Sequence, residues 1–254
     1  MTSAERDNPM SQNDTPHPKA LLAALRLLSR LPLPVPAAPP EPSAAWAWPV
    51  AGAVIGGLAA LAGWLTSGAG PAVAAAVVLG TQAMLTGAMH EDGLADSADG
   101  LWGGWDRPRR LAIMKDSHIG TYGVMTLIVT CLIRWSALTA LLAAGNWWAP
   151  VIVGVISRAP MVLMLALMPN ARGAGLAQSV GRVPMRAAWL ALVLALGPSL
   201  LPGASLALIP AVALVAVTLA LVARSKIGGQ TGDILGASQQ LSEAAALGVL
   251  AASI

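Results

Sequence analysis

The sequence predicts an all-α polytopic integral membrane protein, a helix bundle of about six to seven transmembrane helices. Three observations carry that expectation. Of the 254 residues, 56% are hydrophobic and only 11% are charged, where a soluble domain carries roughly 25% charged residues. The apolar residues gather into runs long enough to cross a bilayer core, which takes about 20 helical residues. The Lys and Arg residues between those runs fall in alternate loops, the asymmetry expected of a chain threaded through a membrane. The basic residues are scattered without interleaved aromatics, which argues against nucleic acid as a partner.

Residues 1–18 are polar, lack an apolar h-region and read as a disordered tail rather than a cleaved signal. Residues 19–254 read as a single transmembrane catalytic domain. Lys19–Arg30 has the Leu pattern of a short amphipathic helix, too short to span. The prolines at 32, 34, 36, 39 and 40 then forbid a helix and predict an extended linker. Spans are expected over Trp48–Leu65, Ala72–Met89, Val124–Ala144, Val151–Met168, Ala187–Leu201 and Ser205–Val222. In the first, Gly52 and Gly56 form a small-xxx-small face for close helix packing. The last apolar run, Ala244–Ile254, is either half a span or a helix tucked against the others. The lone cysteine, Cys131, lies in an apolar run and has no partner for an internal disulfide.

The basic residues fix an orientation. Those before span one, between spans two and three, between four and five, and after six all fall on one side. The opposite loops, Ser67–Gly70, Gly145–Ala149 and Pro202–Ala204, carry no charge. The positive-inside rule puts the charged side in the cytoplasm. Arg134 and Arg158 lie within expected spans, where an arginine costs at least ~2.5 kcal/mol and needs a partner or water. Arg158 is the stronger candidate for a role near substrate.

The chemistry is expected where the acids cluster. Glu91, Asp92, Asp96, Asp99, Asp106 and Asp116 lie close together, and no acid occurs from Ser117 to Gly232. Asp92, Asp96 and Asp99 are spaced by four and three, so on a helix they share one face. Stacked carboxylates repel unless a cation sits among them. Oxygen ligands alone favour Mg²⁺, Mn²⁺ or Ca²⁺ over zinc, and Mg²⁺ so held leaves positions for phosphate oxygens. Arg107, Arg109, Arg110 and Lys115 follow in one loop and suit a polyphosphate, although they also serve as topology charges. In Lys115-Asp116-Ser117-His118, the histidine is a candidate base or phosphate contact. A second glycine-rich stretch, Gly228-Gly229-Gln230-Thr231-Gly232-Asp233, can wrap a phosphate with backbone N–H groups while Asp233 adds a ligand. It lacks the Gly-Lys-Ser/Thr ending of a Walker A loop.

These segments resemble the three motifs of the cobalamin synthase family, the adenosylcobinamide-GDP ribazoletransferases. The similar residues are His90-x-Asp92-Gly93-Leu94-Ala95-Asp96-Ser97-Ala98-Asp99-Gly100, Ile113 to Gly123, and Gly228-Gly229-x-Thr231-Gly232-Asp233-x-Leu235-Gly236-Ala237. Leu28–Pro32, Pro49 with Gly52 and Gly56, and Ser157–Pro160 are similar too. Two departures stand out: Glu91 where an apolar residue is usual, and His118 where arginine is expected. The resemblance implies a Mg²⁺-dependent transfer in the bacterial inner membrane with the site facing the cytoplasm. In it, α-ribazole or its 5′-phosphate attacks the pyrophosphate of adenosylcobinamide-GDP, and GMP leaves. It implies Asp92, Asp96, Asp99 and Asp233 as metal ligands and Asp99, Lys115 and Asp116 as catalytic groups, with Asp99 the expected proton acceptor. Arg109, Arg110, His118, Arg158, Gly228, Gly229, Thr231 and Gly232 are then expected to bind substrate. The lipid bilayer is a further expected partner, and a homo-oligomer is compatible. A CDP-alcohol phosphotransferase and a divalent-cation transporter are the alternatives. The first expects an Arg soon after Asp92-Gly93, and the second does not account for the basic loop.

Overall fold

A computed structural model describes residues 18–34, 41–200 and 205–254. Residues 1–17 of the expected N-terminal tail, residues 35–40 of the proline linker and the loop at 202–204 lie outside the described residues. Helices follow one another as α1 (Pro18–Leu28), α2 (Trp48–Leu65), α3 (Pro71–Thr86), α4 (Met89–Gly103), α5 (Arg107–Ile113) and α6 (Thr121–Ala143). They continue as α7 (Ala149–Ile156), α8 (Ala159–Leu167), α9 (Leu176–Val180), α10 (Met185–Leu196), α11 (Leu208–Ile227) and α12 (Gly232–Ala251). Among the described residues there is no strand, only a single bridge between Asn170 and Gln230. Proline opens α2, α3, α5, α7 and α8 at the first or second position, where its missing N–H costs nothing. The fold class is therefore the expected helical membrane bundle.

The expected count of six to seven spans is not confirmed among the described residues. By length and apolar composition, four segments can cross a membrane: Pro42–Leu65, Thr121–Ala143, Ala149–Leu167 and Leu208–Ile227. A fifth exists if α3 and α4 are taken together, but they meet at a bend of 88°. We read α3 as the spanning arm and α4, with its acids, as turned onto the polar end of the bundle. The expected fifth span shrinks to the twelve residues of α10 followed by a 3-10 turn.

The last apolar run resolves as a tucked helix, and a longer one than expected. It begins at Gly232 and forms the hub of the bundle, packing on α4, α11, α6, α7 and α8. The segment α7–α8 is 83% buried, whereas α6 and α11 are 28% and 22% buried. The first is thus core, and the other two present apolar faces (Ile128, Leu132, Leu214, Leu221) outward. The small-residue face of α2 behaves as expected. A Cβ on Gly52 or Gly56 would run into the carbonyls of Gly154 or Pro150, so α2 and α7 touch backbone to backbone.

Candidate functional site

The site starts at the elbow between α3 and α4. Gly87 and Ala88 both adopt left-handed backbone, with φ of 65° and 55°, and Ala88 is the one non-glycine with positive φ among the described residues. Beyond the elbow, α4 presents Asp92, Asp96 and Asp99 as the spacing predicts, grading from exposed through half-buried to buried. Close packing of α4 on α12 brings the second acidic motif to the first. A Cβ on Gly93 would sit 2.9 Å from the Asp233 carbonyl oxygen, and one on Gly236 3.2 Å from the His90 Cα.

Asp233 is the second residue of α12, whose start is capped by the Thr231 hydroxyl accepting from the Ile234 N–H at 3.3 Å. Arg172 donates to the Asp233 carboxylate at 2.6 Å, and the Thr231 hydroxyl does so at 3.2 Å. Arg172 is delivered by the bridge that pairs Ala171 N–H with Gln230 O and Gln230 N–H with Pro169 O, at 2.8 and 2.9 Å. Burial, and then the neighbouring carboxylates of Asp92 and Asp233, push the Asp96 carboxyl up to about 7. Burial also raises Asp233, against the pull of Arg172. This is an anionic surface with too little positive charge of its own.

Asp99 has a different situation. Its two oxygens accept backbone N–H bonds from Gly120 at 2.7 Å and Gly123 at 2.9 Å. It serves the orphan donors in the first turn of α6 and locks α4 to that helix. A Cβ at Gly120 would lie 2.5 Å from the same carboxylate, and one at Gly123 would also run into it, which accounts for both glycines.

The basic loop is partly committed to structure. Arg110 donates to the carbonyls of Gly104 and Lys226 at 2.9 and 3.1 Å, and Arg107 to Ala171 at 3.2 Å. Lys226 donates to the Leu101 carbonyl at 2.7 Å and sits 4.5 Å over the Trp102 ring. These contacts clamp the end of α11 to α4 and α5. Arg109 and Lys115 are exposed and available. Asp116 and His118 form an exposed pair, Nδ1 to Oδ1 at 2.7 Å, which lowers the Asp116 carboxyl and raises the His118 imidazole. That shift favours a cationic His118. In the glycine loop, Gly228 takes φ 82° to cap α11 and Gly229 packs on the Pro169 carbonyl, while Gly232 faces open space.

Arg158 lies elsewhere. It is buried with His90 and Glu91 rather than beside the three aspartates, and its Nη1 donates to the Gly154 carbonyl at 2.8 Å. It belongs to a buried polar cluster that sequence reasoning did not assemble. Arg134 donates to Glu243 at 2.7 Å, to Gln82 at 3.0 Å and to Gln240. Gln239 bonds Glu243 at 2.6 Å and Ser157 at 3.2 Å, and Gln240 bonds Glu91 at 3.0 Å. Glu91, the departure from the resembled motif, also faces Arg134 at 3.6 Å. One signal pointed here: an arginine inside a span needs a partner. Arg172 carried no such signal, being one loop arginine among several.

Among the described residues no three His, Cys, Asp or Glu side chains converge as a ready metal cage. The donors of Asp92, Asp96 and Asp233 still fit a hard cation chemically: oxygen ligands in a surface whose like charges raise one another's affinity for protons. Asp99 fits less well, since backbone N–H groups hold both its oxygens.

A family model for cobalamin-5-phosphate synthase matches residues 20–251. The adenosylcobinamide-GDP ribazoletransferase of Bradyrhizobium diazoefficiens is 45% identical over 221 residues, covering 82% of this chain and 83% of that protein. Its namesake in Azorhizobium caulinodans is 42% identical over 247 residues, covering 90% and 94%. That of Brucella ovis is 41% identical over 247 residues, covering 89% and 94%. No solved structure matches the chain.

Proposed function

This chain belongs to the cobalamin-5-phosphate synthase family, and on that premise we propose how its residues carry out the reaction. It is a transferase of cobalamin assembly, joining ribazole to adenosylcobinamide-GDP in the final step. The acceptor is α-ribazole or its 5′-phosphate, the bond broken is in the pyrophosphate, and GMP leaves. The observation that carries the residue assignment is the glycine contact of α4 and α12, which lays the start of α12, with Asp233, against the helix that carries Asp92 and Asp96.

Asp92, Asp96 and Asp233 would hold Mg²⁺, which neutralises charge on the pyrophosphate when bound. Mg²⁺ typically takes one or two carboxylates plus substrate phosphates, so a preformed cage of three is not required. Arg172, held by Asp233, sits where it can turn to the leaving phosphate. Arg109, Lys115 and the imidazolium of His118 draw in the polyanion from the exposed loop. Asp99 positions α4 against α6 and does not act as the proton acceptor, because both of its oxygens are already engaged. Gly232 leaves room for close approach of the substrate backbone. Arg158 supports the bundle from inside rather than contacting GMP.

The protein sits in the bacterial inner membrane with α4 and α5 on the cytoplasmic side. The uncharged loops opposite and the charged loops on this side support that orientation. The test is GMP release from adenosylcobinamide-GDP and α-ribazole by the full chain in lipid, with and without Mg²⁺. Ion flux in proteoliposomes without GMP release would replace this reading with that of a transporter.

A further inference from the structure

Arg172 is built into the acid surface differently from the other loop arginines. It lies between α8 and α9, and its backbone is pinned on both sides. The Ala171 N–H donates to the Gln230 carbonyl at 2.8 Å, and the Ala171 carbonyl accepts from Arg107 at 3.2 Å. The Arg172 N–H donates to Asn170 Oδ1 at 2.9 Å, and the Gly173 N–H to the same oxygen at 2.7 Å. The base of the side chain is therefore fixed, and any rearrangement falls to its arm. At the end of that arm, Nη2 reaches Asp233 Oδ2 at 2.6 Å. Nε is buried and has no hydrogen-bond partner. A guanidinium can hold a carboxylate through two parallel bonds, so this pairing leaves part of the fork unused. A buried N–H without a partner costs free energy. Arg107, Arg110 and Arg182 bond backbone carbonyls instead. Arg172 holds a carboxylate that is proposed to hold the metal, and its charge also reaches Asp96.

Resting on the function proposed above, we propose that Arg172 is an exchangeable cation of the site: it holds Asp233 until a divalent metal takes that carboxylate, and it then turns its guanidinium to the pyrophosphate of adenosylcobinamide-GDP. Two cations in contact with one carboxylate oxygen repel each other, so Arg172 and the metal compete for Asp233. The exchange leaves no charge unmatched. Without Arg172, Asp233 would add its charge to those of Asp92 and Asp96 with nothing to offset it. Once the metal offsets it, the guanidinium is free for the incoming polyanion. Arginine meets a phosphate edge with two donors, and turning outward gives Nε an acceptor. Arg172 therefore opposes binding of the metal and assists binding of the polyanion, two effects of opposite sign from one side chain.

The test uses the full chain in lipid nanodiscs and Mn²⁺ alone, read by electron paramagnetic resonance as a visible counterpart of Mg²⁺. Arg172→Gln should bind Mn²⁺ about threefold or more tighter than the unaltered protein, the scale of a partly exposed ion pair. Its KM for adenosylcobinamide-GDP should rise roughly tenfold, the loss of a charge-assisted hydrogen bond. In Asp233→Asn the contested carboxylate is gone, so adding Arg172→Gln should change Mn²⁺ affinity by less than about 1.5-fold. A general repulsion by the arginine charge would leave the full effect in that background and would overturn the exchange. The unaltered protein gives a reading that misfolding cannot mask. Phenylglyoxal modification of Arg172, located by peptide mass mapping, should speed up severalfold when Mn²⁺ is added and slow again when adenosylcobinamide-GDP follows. Modification unaffected by Mn²⁺ would overturn the exchange alone, as would an Arg172→Gln protein that binds Mn²⁺ no tighter than the unaltered one. Failure of the unaltered protein to bind Mn²⁺ would overturn the metal assignment, and absence of GMP release would overturn the function beneath it.

Discussion

Two groups of charges sit close together on α4 and α12 and are treated in opposite ways. In the interior, Arg134 meets Glu243, Glu91 and two glutamines, so each buried charge faces an opposite one. At the polar end, Asp92 and Asp233 both act on Asp96, and among the described residues Arg172 is the one cation paired there. Desolvated charge is tolerated inside because it is paired. The surplus at the polar end has no structural benefit, which marks it as the place where a cation and a polyanion bind. One helix pair thus carries a charge-neutral joint and a charge-imbalanced site, about three turns apart along α12.

The sharpest way to break this contrast is to neutralise one charge on each side. Asp96→Asn should lower GMP release by about 10³-fold or more while membrane insertion and thermal unfolding stay unchanged. Asp92→Asn should act alike, and near-normal turnover in either would remove the metal assignment. Arg134→Leu should do the reverse. It strands Glu243 and should cost about 3–5 kcal/mol of stability, read from unfolding in lipid. Pairing it with Glu243→Leu should restore much of that loss, and a double variant no better than the single would show that the pair is not the joint.

Asp99→Asn tests the acid that stands between the two groups. Losing one of two backbone hydrogen bonds should cost about 1–2 kcal/mol, with turnover per folded molecule kept within severalfold. A loss as deep as that of Asp96→Asn would return Asp99 to the reacting atoms.

The smallest effect concerns His118. Its folded pKa is raised by Asp116, so the imidazolium is fully present below the ordinary value and is lost as pH rises through the raised one. The KM for adenosylcobinamide-GDP should therefore climb a few-fold as pH passes through that upper value. His118→Arg should flatten the profile, and Asp116→Asn should shift the climb to lower pH. A flat profile in the unaltered protein would take His118 out of substrate binding.

Much of this contrast was legible before any coordinates. The acid spacing on α4, the glycine face of α2 and the bounds of α2 follow from local rules, since helical periodicity and proline starts act within a few residues. Other features were hidden because their partners are far apart in the chain. Arg134 and Glu243 are 109 positions apart, and Arg172 and Asp233 are 61 apart. Nothing within either segment names the other. The bounds of the second run were misjudged for a related reason: hydropathy sees Ala72–Met89 as one run, while the left-handed pair Gly87–Ala88 ends it and turns the chain.

By itself the sequence determined that this is a helical membrane protein and that Asp92, Asp96, Asp99 and Asp233 lie in two glycine-flanked motifs, because composition, periodicity and spacing are properties of neighbouring residues. The tertiary structure alone decided which charges are paired and which are left over. Pairing depends on which helices touch, and those contacts are set by small residues meeting across the bundle, as Gly93 meets Gly236. That meeting brings Asp233 to Asp96, and the same packing closes Arg134 onto Glu243 further along α12.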